Sequence, residues 1–154
     1  MTVLMKLIPY RQVGDFVFGM ERSQAEKICG KRISTCMYGY PIEDRYLDDY
    51  GYMHTLCNNR QLLEAVEFFP DISAEEMYLE YDGVKVCLSK DIQVMLEQLH
   101  RITDDLTEDE DGEGYSSQKL GLKVYCPDEV VEDVLIHDQY CYDEEKAYIE
   151  EQKL

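Results

Sequence analysis

Tryptophan is absent from this chain, and basic residues are scarce. Fifteen Lys and Arg stand against 33 Asp and Glu in 154 residues, a formal net charge of −18. A surface of that sign repels nucleic acid and anionic membrane, and it draws in basic partners over a Debye length of about 10 Å. No run approaches the roughly 18 consecutive apolar residues of a transmembrane helix. The apolar start, Met1 to Pro9, is too short for a secretion signal and lacks a small-residue cleavage site, so it reads as a first strand and the expected location is cytoplasmic. The six cysteines (Cys29, Cys36, Cys57, Cys87, Cys126 and Cys141) contain no C-x-x-C pair. In a reducing compartment they are expected as buried free thiols, not as a disulfide framework.

Motifs that carry chemistry are missing too. His54, His100 and His137 are isolated, with no H-E-x-x-H and no cysteine spacing suited to zinc. Asp109-Glu110-Asp111-Gly112 has the look of a calcium loop. With Gly112 at the loop's glycine position, however, the first ligand would be Thr107 and the twelfth Gln118, neither of them a carboxylate. Gly112-Glu113-Gly114 lies among acids that repel phosphate. No Ser or Cys sits in a nucleophile elbow, and with this many carboxylates, paired acids arise by accident. The reading is of a protein that is not an enzyme, with no catalytic residue, no cofactor and no metal.

Hydrophobic residues make up 45% of the chain, so its acidity does not imply disorder. Thirteen Tyr suit half-buried strands and also interfaces. The spacing predicts a short helix over 21–29 closed by Gly30, and a second helix carrying the stripe Ile92, Met95, Leu96, Leu99 and Ile102, with Ser89 as its cap. Tyr50 to Cys57 and Gln61 to Phe69 read as a hairpin around Asn58-Asn59-Arg60. Val84, Val86 and Leu88 mark a strand, as do Leu120, Leu122, Val124 and Cys126, and Val130 to Tyr140 reads as the last one. Asp104 to Gly114 reads as an acidic loop, and the tail from Asp143 as a short charged helix. These elements predict a single α+β domain over 1–154: an antiparallel sheet with two main helices packed on one face, the helix–meander unit occurring twice.

Carboxylates interleaved with Tyr are what a face for a cationic protein would contain, aromatics for buried area and acids for steering. The candidate partner-binding residues are therefore Tyr46, Asp48, Asp49, Tyr50 and Tyr52, with Asp104, Asp105, Glu108, Asp109, Glu110 and Asp111. Glu43-Asp44 and Asp143-Glu144-Glu145 are further acidic segments.

Val13-Gly14-Asp15-Phe16-Val17-Phe18-Gly19-Met20, followed by Ala25 to Gly30, resembles the V-G-x-φ-x-φ-G-M opening of small bacterial immunity proteins from polymorphic-toxin loci. Leu120 to Asp128 and Val134-Leu135-Ile136 are similar to their later strands, although Glu21 stands where Ser or Thr usually caps the helix. The opening is also shared with β-lactamase-inhibitor-like helix–sheet modules. The resemblance implies a binding protein that neutralises a cognate toxin. Acidity adds the expectation that the toxin presents a basic surface, with nucleic acid and membrane excluded as partners. A DNA mimic that blocks a basic nucleic-acid-binding surface is the second reading, and an enzyme with a scattered active site the third.

Overall fold

A computed structural model describes residues 2–38, 45–71 and 76–141. The segments Glu43-Asp44 and Asp143-Glu144-Glu145, and the helix expected from Asp143, lie outside the described residues. Among the described residues, two helices and thirteen strands make an α+β fold rich in antiparallel pairing.

The chain opens with β1 (Thr2–Ile8), β2 (Gln12–Val13) and β3 (Phe16–Val17), then α1 (Arg22–Cys29). A four-strand meander follows: β4 (Ser34–Tyr38), β5 (Arg45–Asp49), β6 (Met53–Cys57) and β7 (Leu63–Phe68). The second half restates the plan. The hairpin β8 (Glu76–Tyr81) and β9 (Val84–Cys87) leads to α2 (Ile92–His100), and α2 to β10 (Thr107–Glu108), β11 (Gly114–Ser117), β12 (Leu122–Tyr125) and β13 (Asp133–His137). Each helix begins at a residue that bridges the segment leading into its meander's last strand: Glu21 with Leu62, Asp91 with Val130.

The strands form two sheets where one was expected. The two meanders lie side by side in an eight-stranded antiparallel sheet ordered β10-β11-β12-β13-β7-β6-β5-β4, closed at its centre by the β7–β13 pair. The hairpins make a five-stranded sheet, β3-β2-β1-β8-β9, in which β1 and β8 run parallel. A sheet must bury its apolar face against another layer. The larger sheet's face is too wide for two helices of eight and nine residues to cover, and the smaller sheet covers much of it. One core joins Met5, Leu7, Val13, Phe16, Leu79 and Val86 of the smaller sheet to Met53, Val66, Phe68, Leu122, Val124, Val134 and Ile136 of the larger. Ile92, Met95 and Leu99 of α2 enter that core, whereas α1 fully buries only Ala25.

Local signals act largely as expected. Gly30 ends α1 at φ 92°, donating to the Glu26 carbonyl. Glu21 and Gln24 form a reciprocal capping box in place of a Ser or Thr cap. At α2 the cap is Asp91, not Ser89: its Oδ1 accepts the Gln93 and Val94 N–H groups, while the Ser89 hydroxyl accepts from Asp91 N–H. The last strand is shorter than expected because Val130 and Val131 pair with Asp91 and Lys90 before β13 begins.

Candidate functional site

The segment around Tyr46 to Tyr52 does not form one surface. Asp48 lies opposite Thr35 and Thr55 on the core-facing side of the large sheet, and its side chain is fully buried. Arg22, in the first turn of α1, reaches it in a bidentate pair, Nε to Oδ2 at 2.6 Å and a terminal nitrogen to Oδ1 at 2.8 Å. The Thr35 hydroxyl donates to Oδ1 at 2.7 Å, and Arg32, itself paired with Glu26, stands 3.4 Å away. Burial works to raise the Asp48 pKa, but the hydrogen bonds from Arg22 and Thr35 and the two arginine charges outweigh it, holding the carboxyl below its usual range. Tyr46 is half-buried, with the Arg22 guanidinium 4.5 Å over its ring. Tyr50 is buried, its hydroxyl finds no partner among the described residues, and burial pushes its pKa up to about 12. Asp48 and Tyr50, expected on a partner-facing surface, are therefore interior groups. Tyr52, 48% exposed, stays outside and donates to the Cys29 carbonyl at 3.2 Å.

The acidic loop is a hairpin, its arms pairing as β10 and β11. Asp105 accepts from the Thr103 and Ser117 hydroxyls and the Lys119 N–H, and Asp104 pairs with Lys119 at 2.9 Å. Asp109 accepts the Ser116 hydroxyl at 2.6 Å, and its carbonyl takes the Gly112 N–H. Asp105 and Asp109 thus staple the hairpin. Glu108, Glu110, Asp111 and Glu113 are left exposed.

From this hairpin a carboxylate stripe crosses the outer face of the large sheet. Tyr125 on β12, 40% exposed, lies opposite Asp133 on β13. The Glu113 charge, then burial, then Glu132, Asp133 and Asp111 raise the pKa of its hydroxyl. Asp133 hydrogen-bonds Glu67 on the neighbouring β7. Glu67 is 3.5 Å from His54 Nδ1 on β6, and His54 Nε2 is 3.4 Å from Asp49 on β5. Phe69 meets the His54 ring edge-on, centroids 4.6 Å apart. Asp49 thus joins the hairpin acids in one array, together with Tyr125, Asp133, Glu67 and His54, which sequence reasoning missed. Alternation places Glu67 and Asp133 outward, but their proximity depends on the β7–β13 pairing, which no local pattern encodes.

Burial, the Glu67 charge and the shared hydrogen bond hold the Asp133 pKa at about 7, with Glu132 adding to the rise and His54 opposing it. The folded protein binds this proton more tightly than the unfolded chain, so the contribution is present below an unfolded pKa of about 3.9 and is lost as pH rises through about 7. Denaturant melts of the wild type should lose about 1–3 kcal/mol across that window, a loss that Asp133→Asn removes; parallel profiles for the two proteins would contradict the shared proton.

No family model, curated protein or solved structure matches this chain. Among the described residues no group of three or more His, Cys, Asp or Glu is arranged to hold a metal ion. An apolar cleft of about 580 Å³, lined by Val3, Met5, Phe16, Met53, Phe68 and Met77, has Asp15 as the only carboxylate among the described residues of its wall. The cysteines are free, but Cys36 is exposed and Cys29 and Cys87 are half-buried, so the expectation of buried thiols holds for Cys57, Cys126 and Cys141 only. Cys36 lies on β4, whose outer edge no described strand covers.

Proposed function

We propose that this protein binds and masks a basic surface on another protein, and that, as the resemblance of its opening segment implies, it is an immunity protein for a toxin. The observation that carries the reading is the stripe from Glu113 and Asp111 through Tyr125 to Asp133, Glu67 and Asp49: acidic side chains around an exposed aromatic on the outer face of the sheet. Aromatics at the centre supply buried area, and acids around them steer a cation into place. The docking face moves accordingly, from the Tyr46–Tyr52 segment to the outer face beside the hairpin.

Affinity capture from extracts of the source cells tests this. The bait is the wild type, beside a variant carrying Glu108→Gln, Glu110→Gln, Asp111→Asn, Glu113→Gln and Glu132→Gln. The wild type should retain a basic protein at low salt, and the neutralised variant should lose it. Recovery of the same protein by both baits would contradict the assignment of this face.

A further inference from the structure

Among the described residues two sheets present four edges, and three of them are short, charged or covered. β3 and β10 are two residues long, and β10 carries Glu108. β9 is sealed by α2: Gln98 Oε1 accepts the Cys87 N–H at 3.0 Å, and Arg101 donates to the Lys85 carbonyl at 3.0 Å. Short, charged or covered edges are how sheets avoid pairing with other chains. Among the described residues, none of these devices is found at β4. It runs five residues, Ser34 to Tyr38, without a charge or a proline, and its neighbour on one side is β5, with no described strand on the other. Ser34 to Met37 are exposed; Met37 is 48% exposed and the preceding Ile33 69%. Alternate N–H and C=O groups of such a strand point away from its one partner, ready for another ladder.

We propose that β4 is a dimerisation edge, pairing antiparallel with β4 of a second copy across a twofold axis to join two eight-stranded sheets into one. Of the two ends of the large sheet, charge makes β4 and not β10 the one that a second copy can approach. β4 and the hairpin strand β10 are opposite ends of the large sheet. Joining β4 to β4 leaves the two acidic hairpins outermost, roughly 70 Å apart at a strand spacing of ~4.8 Å, many Debye lengths beyond mutual repulsion. A twofold also makes one uncharged edge its own complement. With the axis at mid-strand, Cys36 faces the partner's Cys36 with Cα atoms about 4.5–5.5 Å apart, within the span a disulfide bridges. Cys36 is the one exposed thiol of the six, which makes it a site-specific reporter. Met37 would lie opposite Thr35 of the partner subunit; within one chain, Thr35 is hydrogen-bonded by Arg22 and Arg32.

The test is sedimentation equilibrium of the reduced chain from micromolar to near-millimolar concentration, with copper–phenanthroline oxidation of parallel samples. The wild type should sediment as a dimer and cross-link covalently. Cys36→Ser should remain a dimer and lose the cross-link. Cys36→Lys sets two ammonium groups face to face, and Met37→Lys adds a cation beside Arg22 and Arg32. Each should weaken the dimer about tenfold or more while leaving the melting of the monomer unchanged. A monomer at every concentration, a dimer whose mass survives both lysine variants, or cross-linking that persists in Cys36→Ser overturns the proposal.

Discussion

Gly114→Ala is expected to lose about 3 kcal/mol or more of stability in denaturant melts, the upper end for overpacking, because the clash falls on backbone. Gly114 is buried where β11 meets β12, and a Cβ there would lie far inside van der Waals contact with the Val124 carbonyl oxygen and 3.0 Å from the Asp109 carboxylate. A carbonyl in a ladder cannot swing aside as a side-chain tip can. The strands would have to part, and with them the hairpin that Asp109 staples through Ser116. Gly112→Ala is the control. It places alanine at φ 73°, where the nearest atom to the new Cβ is the Glu108 side chain at 4.0 Å, so it carries backbone strain of about 1 kcal/mol without a clash. Equal losses for the two variants would contradict the close approach of β11 to β12.

Asp48→Ala should be as severe, at about 3–5 kcal/mol, because it strands Arg22 and takes a partner from Arg32 in a buried site. Asp49→Ala, one residue on and at the surface, should cost less than about 1 kcal/mol. The same pair gives the acid response its sign. The Asp48 pKa is depressed in the folded state, so its contribution is present above an unfolded value of about 3.9 and is lost as pH falls below it. Acid melts should therefore show a loss that Asp48→Asn does not. If Asp48 were a partner contact, its removal would weaken binding and leave stability intact.

Much of the fold was legible because local chemistry decides it. The apolar stripe of α2, the glycine stop of α1 and the alternation in β12 are properties of short windows, and each element forms where its pattern lies. The parts that were not legible depend on residues far apart in sequence. Asp48 reads as one acid among several until Arg22, 26 positions earlier, is seen to cover it. Asp133 and Glu67 read as unrelated surface acids until β13 pairs with β7. The acidic run from Asp104 reads in the sequence as one partner-facing loop. Asp105 and Asp109 instead serve the hairpin, while Glu108, Glu110, Asp111 and Glu113 remain outside. Composition could count these carboxylates but not sort them.

The most direct measurement of the central claim is the association rate with the captured basic partner as a function of ionic strength, for the wild type, the five-carboxylate variant and Tyr125→Ala. If the stripe beside the hairpin is the docking face, the wild-type rate falls steeply with salt, and neutralising the carboxylates lowers it about tenfold or more at low salt and flattens the slope. Tyr125→Ala should leave the association rate near that of the wild type and speed dissociation. Rates and salt slopes that coincide for the wild type and the neutralised variant would contradict the account.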